Sequence, residues 1–415
     1  MKPPRPTLRR AVPRLSTLTL LTALLLPAGG ADARVKLITL PVRDRVEIRL
    51  DHDHATLIEE ERTVPLVPGT NQVDFSWANT QINPATLVFR VLDDDGHEMT
   101  GDDAPVKVLS VTYPPGENAL VWQVSSSKAT SARVRISYLL GGLTRDFSYR
   151  ARVSHDEKTL TLNQYVNIRN FAGEAYGDTQ ISIGTGDADG GLSKPLGLNE
   201  SKQVRTQRFV DLPVTKTYTA DFHRFGYLDA GEKKLRVPMH YRLSNTAEAG
   251  LGDAALPKGK VRIFQEDSPG PDATTAFLGE DVATHTPVGR HADLFLGVAQ
   301  DVVVRRTVET KDDRRIAGNL MERRVTLKYV VENFKDTPVT LRLAEQIDAL
   351  RRELSRSSGQ PASWSLGTGT TLPSEPLADE TDAGRVTFEA PLAARAGDTP
   401  EPQTFFLEIV FDNQW

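Results

Sequence analysis

The sequence contains no cysteine. Disulfides are therefore excluded, and outside the cytoplasm such a chain must be held by the size of its core. Catalytic thiols and cysteine-based zinc sites are excluded as well. So is a lipoprotein, since no cysteine follows the N-terminal segment to be acylated. An excess of one charge is also missing. Lys+Arg 50 against Asp+Glu 55 leave a net charge of -5, too balanced for a nucleic-acid or anionic-lipid footprint. After the first thirty residues no apolar run is long enough to span a bilayer. Among catalytic signatures, no Gly-x-Ser-x-Gly elbow, P-loop, dinucleotide fingerprint or His-Glu-x-x-His occurs.

What is present fits an ordinary globular composition, with 39% hydrophobic and 25% charged residues. The 415 residues suffice for two or three domains. At the N-terminus, Arg5, Arg9, Arg10 and Arg14 precede an apolar run from Leu15 to Leu26, broken by Pro27. Ala31-Asp32-Ala33 then places small residues where a signal peptidase reads. Residues 1–33 are thus expected to be a signal peptide, cleaved near Ala33, with the mature chain periplasmic or secreted.

Period-two alternation recurs through the rest. Val46, Ile48 and Leu50 share one parity, as do Val73, Phe75 and Trp77, and Val134, Ile136 and Tyr138. Leu160, Leu162, Val166 and Ile168 follow, then Val325, Leu327, Tyr329 and Val331, and finally Phe405, Leu407, Ile409 and Phe411. Strand side chains alternate between faces, so each set aims one apolar row at a core and one polar row at water. The pattern predicts a mainly β protein of antiparallel β-sandwich domains, with at most one short helix besides the signal segment. That helix is expected where Leu343, Ile347, Leu350 and Leu354 fall at helical spacing, leaving Glu345 and Glu353 off the stripe. Turn-rich breaks suggest β-domains over 34–113, 114–250 and 251–415. One break is Pro114-Pro115-Gly116. Residues 355–384 read as a long loop with one short strand around Trp364.

Several stretches resemble the bacterial envelope family known as domain of unknown function 4139, related to the mucoidy-inhibitor A proteins. The most specific runs from Gly250-Leu-Gly-Asp through Phe277-Leu-Gly-Glu-Asp-Val to Leu294-Phe-Leu-Gly-Val-Ala-Gln-Asp-Val302. Tyr329 to Thr340, Ile82 to Phe89, Tyr138-Leu-Leu-Gly-Gly-Leu143 and Val166 to Gly173 are similar to other parts of the family. Two features depart from it. Leu143 is followed by Thr144-Arg145-Asp146-Phe147 where the family usually has a tryptophan, and the coiled-coil insertion of the mucoidy-inhibitor branch is absent. The resemblance implies an exported β-rich protein and supplies no catalytic residues.

Candidate chemistry is sparse. His52 and His54 in Asp51-His52-Asp53-His54 would share a strand face and could chelate a metal with a third ligand, or form a hydrated strand end. Asp93-Asp94-Asp95-Gly96 with Glu98, and Asp187 with Asp189, resemble fragments of calcium loops, but they lack the full alternating set and read better as turns. Glu280, Asp281 and His285 would form an acid/base group on a helix, whereas Thr284, Thr286 and Pro287 argue for a strand or turn that keeps them apart. Trp77, Trp122, Trp364 and Trp415 could stack on sugars, though large residues on alternating strands usually belong to cores.

The reading that follows is a non-enzymatic exported protein that binds or supports an envelope component. It has no cofactor, no nucleic-acid partner and no membrane span in the mature chain, and its partner would be an envelope protein or glycan. The alternative is a metal-assisted or carboxylate-based hydrolase acting on envelope polymers.

Overall fold

A computed structural model describes residues 36–52, 55–101, 104–184, 191–270, 272–318, 320–354 and 363–414. The expected signal peptide, His54, Asp187, Asp189 and Trp415 lie outside them. Alternation governs what is described. In the strand Arg45–Arg49, Val46 and Ile48 are buried, while Arg45 and Arg49 are exposed. In Thr159–Asn170 every second side chain from Leu160 to Asn170 is buried. Most polar members of these strands face outward, because an unpaired polar group inside would lose its water without compensation.

Among the described residues the strands form five sheets. The first orders Lys36–Thr39, Gly69–Ser76, Ala119–Ser126 and Val106–Thr112. The second runs from Leu192–Ser193 through Gln180–Ser182, Arg45–Arg49, Thr56–Leu66 and Thr130–Leu140 to Val88–Leu92. The third comprises Ser201–Pro213, Thr159–Asn170, Leu143–Val153, Gly259–Glu266 and Thr275–Ala283. The fourth orders His291–Val298, Pro238–Ser244, Thr215–Asp221, Val339–Gln346 and Arg385–Leu392. The fifth is built on the long hairpin Val302–Ala317 and Leu320–Asn333, next to Gln403–Gln414. Pairing is mostly antiparallel. Parallel pairs join Lys36 to Gly69, Gln180 to Arg45, Thr215 to Val339 and Gly259 to Leu143 strands.

The sheets bury their apolar rows against one another in two cores. Phe75 meets Tyr138 at a ring distance of 6.0 Å and Phe89 meets Trp122 at 4.7 Å, joining the first sheet to the second. The same core continues through Tyr149, Leu162 and Val261 of the third sheet onto Leu243 and Leu294 of the fourth. A second core lies between Leu341, Leu343 and Phe388 of the fourth sheet and Val304, Leu327 and Ile409 of the fifth. Each such side chain, fully buried, contributes on the order of 1.5–3 kcal/mol.

Two residues steer the chain from the second sheet to the third. Gly141 and Gly142 alone separate the strand ending at Leu140 from the strand starting at Leu143. Gly142 has φ +76°, and a Cβ there would stand 2.6 Å from the Phe171 carbonyl oxygen. Any larger residue would therefore clash as well as strain the backbone. Pairing also crosses the boundaries expected at 113/114 and 250/251. The Pro114–Gly116 turn closes a hairpin between Val106–Thr112 and Ala119–Ser126, and Gly259–Glu266 pairs with Leu143–Val153.

Helix is scarce. The expected one, α2, spans Ile347–Leu354 and buries Ile347 and Leu350. It is shorter than its apolar spacing suggested, because Leu343 and Glu345 lie on the strand Val339–Gln346, paired on both sides. One further helical turn, α1 (Phe222–Phe225), is not anticipated by the sequence pattern; the Asp221 side chain caps it, accepting from the Arg224 N–H at 3.0 Å. No helix among the described residues is long and apolar enough to cross a membrane.

The C-terminal strand Gln403–Gln414 is internal to its sheet, between Leu320–Asn333 and Trp364–Leu366. Deleting residues 405–415 should therefore abolish soluble expression. A truncated protein that stays soluble with an unchanged far-ultraviolet spectrum would refute this.

Candidate functional site

The residues singled out in sequence are placed apart. His52 lines a small polar recess of about 140 Å3 with Gly141, Gly142 and Arg145. Its proposed partner His54 is outside the described residues. Asp93 to Gly96 form a turn: the Gly96 N–H donates to the Asp93 carbonyl at 3.2 Å, and Asp93 Oδ1 accepts from the His97 N–H at 2.8 Å. Ligand atoms of Asp93, Asp95 and His97 come within 4.8 Å of one another, in a turn whose Asp95 and His97 are exposed. Glu280 and Asp281 are neighbours on the strand Thr275–Ala283 and do different work. Glu280 pairs with Lys260 at 2.7 Å and Arg262 at 3.0 Å, and these two cations hold its pKa below the usual carboxylate range. Asp281 accepts from the Phe295 N–H at 2.8 Å, tying the third sheet to the fourth. His285 is exposed in the loop beyond that strand. Trp77 and Trp122 belong to the core, and the Trp364 indole N–H donates to the Ala383 carbonyl at 2.8 Å.

Two clusters that the sequence reading did not assemble lie inside the protein. In the second sheet, Glu60 has no exposed surface and shares its inward row with Ile58 and Val64. Arg43 pairs with it, Arg62 lies 2.9 Å away, and the Tyr138 hydroxyl stands 3.5 Å off. Arg43 also reaches Glu174 at 2.7 Å, which accepts from the Tyr176 hydroxyl at 2.8 Å. Burial foremost, then the Glu60 charge, pushes the Tyr138 pKa well up, so its hydroxyl stays protonated.

The second cluster bridges the fourth and fifth sheets. Arg306, 1% exposed, donates to Glu345 at 2.6 Å and to Glu353 of α2 at 2.9 Å. Its guanidinium lies 4.6 Å from the Phe222 ring, and the Tyr329 hydroxyl donates to Glu345. His223 of α1 stands 3.4 Å from Glu345 and 3.3 Å from Glu353. These are ion-pair contacts without the alignment of hydrogen bonds, as both imidazole nitrogens lack an aligned partner. Burial works against the charge on His223, but the two carboxylates outweigh it and raise its pKa to about 9. Burial likewise opposes the charge on Glu353, and His223 and Arg306 overcome it, bringing the pKa to about 2. Both groups are therefore charged at neutral pH, and the carboxylates are spent on cations.

The outer face of the third sheet differs. Three rows cross its strands: Arg208, Asn163, Arg150 and Arg262; Arg205, Tyr165, Ser148 and Lys260; Thr161, Arg152 and Phe264. Arg205 and Arg208, three residues apart, would face opposite ways on a regular strand. A β-bulge at the Gln164/Tyr165 register places one extra residue, Thr206, between them and returns both to the same face. Beneath it the buried Gln164 amide donates to the Thr206 hydroxyl at 3.0 Å. The result is an open cleft of about 420 Å3 lined by Arg150, Arg152, Arg205, Arg208, Tyr165 and Phe264, among others, and by no acidic residue. Arg152 lies 3.3 Å from Glu266, and Arg150 lies 5.5 Å from the Tyr165 ring centre. Among the described residues, Arg150, Arg205 and Arg208 pair with no carboxylate.

Sheets with neutralised interiors and one open cationic face define a multi-sheet β protein whose exposed chemistry lies on a strand surface. A family model described as a domain of unknown function, DUF4139, matches residues 134–354, more than half of the chain. The chain belongs to that family. The match takes in the strands that carry the cationic face and those that carry the Arg306 cluster. No curated protein matches the chain.

Replacing Glu60 with Ala would leave Arg62 beside an apolar row without a carboxylate and Arg43 with Glu174 alone. As both arginines keep some contact with solvent, the loss should fall near the low end of about 3–5 kcal/mol, read by urea unfolding. A loss below about 1 kcal/mol would mean that the cluster is not load-sharing.

The His223 cluster sets a pH window. With the folded pKa raised from 6.5 to about 9, its contribution is complete below pH 6.5 and is lost as pH rises through 9. Glu353, lowered from 4.5 to about 2, contributes above pH 4.5 and loses that contribution as pH falls through 2. The thermal midpoint should thus fall more between pH 6.5 and 9.5 in the native chain than in His223→Gln; parallel curves would contradict the assignment.

Proposed function

We propose that this protein is an exported, non-enzymatic binding component of the bacterial cell envelope, and that its ligand seats on the outer face of the third sheet. One observation carries the reading. The buried carboxylates Glu60 and Glu345, and the partly exposed Glu353, are neutralised by arginines, whereas Arg150, Arg205 and Arg208 stand exposed in an open cleft. A carboxylate held as an ion pair is poorly suited to take up or deliver a proton, while an unpaired guanidinium is available to an anion. Support for export comes from the basic, apolar and small-residue regions of residues 1–33. Kinship with the mucoidy-inhibitor A proteins, suggested by the stretch from Gly250 to Val302, belongs to the same proposal.

The mature chain, beginning near Arg34 by intact mass, should appear in the periplasmic or extracellular fraction. It should co-sediment with purified murein sacculi or with outer-membrane fragments without hydrolysing glycan or peptide. Its thermal midpoint should not move when chelator is added to protein purified without one. Turnover abolished by a single carboxylate substitution, or a stoichiometric metal whose removal lowers the midpoint, would overturn the reading in favour of a hydrolase.

A further inference from the structure

Resting on that binding reading, we propose that the cleft on the third sheet takes a linear anionic glycan, gripped through its acidic groups by Arg150, Arg205 and Arg208 while its sugar rings lie on Tyr165 and Phe264. Three features of the face point to this chemistry. First, its cations are guanidiniums, whose planar forks match carboxylate, sulfate or phosphate oxygens two at a time. They are spread across the strands and not gathered at one point. Arg208 and Arg150 stand two strands apart, about 10 Å, and Arg150 and Arg152 are alternate residues on one strand, about 7 Å. An array of that reach suits a polymer with repeated charges better than a single small anion. Second, the floor between the cations is neutral and polar. Asn163 sits in register between Arg208 and Arg150, and Thr161 lies beside Arg152. Amide and hydroxyl groups there can exchange hydrogen bonds with sugar hydroxyls, which a bare phosphate chain does not carry. Third, Tyr165 and Phe264 supply half-exposed ring faces within the same cleft, and the Tyr165 ring is held beneath the Arg150 guanidinium.

The face is also built to stay as it is. The bulge that brings Arg205 and Arg208 together is anchored from below by Gln164. The neighbouring cations Lys260 and Arg262 are taken up by Glu280, so the unpaired charge is confined to the cleft. The sequence-level balance of charge hides this local surplus completely.

The test uses the full mature chain and four defined polymers in low-salt buffer: polygalacturonate, sulfated dextran, neutral dextran and polyphosphate. Polygalacturonate or sulfated dextran should bind, the preference between them identifying carboxylate or sulfate as the favoured acidic group, and neutral dextran should bind at least tenfold more weakly. Raising salt from 50 to 500 mM should weaken binding strongly. The triple variant R150Q/R205Q/R208Q should lose tenfold or more in affinity, and Tyr165→Leu a smaller but measurable amount. All these positions are on the outer face, so an unchanged thermal midpoint checks that the variants fold. Polyphosphate or single-stranded DNA bound as tightly as the acidic glycans would show that charge alone is being read and would overturn the proposal. Undiminished glycan binding by the triple variant would overturn it too. If the native chain sediments with sacculi but binds neither acidic glycan, this inference falls and the binding reading stands. If it binds no envelope material at all, both fall.

Discussion

The contact between Arg306 and Glu345 shows the constraint under which the whole molecule is built. Both side chains sit on the inward rows of their strands and are almost fully removed from water. A lone charge there would cost several kcal/mol, so each is tolerated only because the facing sheet supplies its opposite in hydrogen-bonding geometry. Glu60 is tolerated in a like way within the second sheet itself, where Arg43 and Arg62 converge on one carboxylate. Such pairs add less stability than apolar side chains of equal volume would, but the Arg306–Glu345 pair fixes how the fifth sheet sits on the fourth, since slippage would strand a charge. Stability therefore comes from the apolar rows, and registry from the few charges admitted among them.

That economy explains why chemistry is found outside. The charged groups of the Glu60 and Arg306 clusters are committed to each other: α1 brings His223 to Glu345 and Glu353, and α2, besides burying Ile347 and Leu350, brings Glu353 to Arg306. The outer face of the third sheet obeys no such rule. Solvated arginines need no partner, and a β-bulge can gather them on one face without any cost in burial. The bulge has its own internal support in Gln164, a polar residue on a mostly apolar row. A feature that bends a strand and reaims its side chains, held from beneath by a buried amide, has its main consequence at the surface.

Much of the architecture was legible in the sequence, and the reason is period two. Val134, Ile136 and Tyr138, or Phe405, Leu407, Ile409 and Phe411, name their own face, and each set proves buried or nearly so. The same rule could have found Glu60, which shares parity with Ile58 and Val64, and Arg306, which shares it with Val302 and Val304. In the run Glu59-Glu60-Glu61 the buried carboxylate is masked by two outward neighbours of the same type. Glu345 was hidden differently. Leu343 and Ile347 mimic helical spacing across the junction between a strand and α2, so a strand residue passed for the polar side of a helix. The cationic face was illegible for a third reason. Arg205 and Arg208 are out of phase, and only the bulge, which depends on pairing with Thr159–Asn170, puts them together. Local pattern carries face, but not departures from pattern that a neighbouring strand imposes.

Global charge and local charge answer different questions in such a protein. A net charge of -5 over 415 residues gives no long-range attraction for a polyanion. At physiological ionic strength fields are screened within about 8 Å in any case, so what an approaching ligand meets is the nearest handful of side chains. On the third sheet those include Arg150, Arg205 and Arg208, which pair with no carboxylate among the described residues. Arg150 lies on a strand paired on both sides, Arg205 and Arg208 on the edge strand Ser201–Pro213 paired along Thr159–Asn170. These ladders restrain the backbone beneath them, so the entropy lost on binding falls mainly on the side chains and the ligand. A face of this kind favours contact over steering. It would hold a polymer already present at high local concentration more effectively than it would capture one from dilute solution.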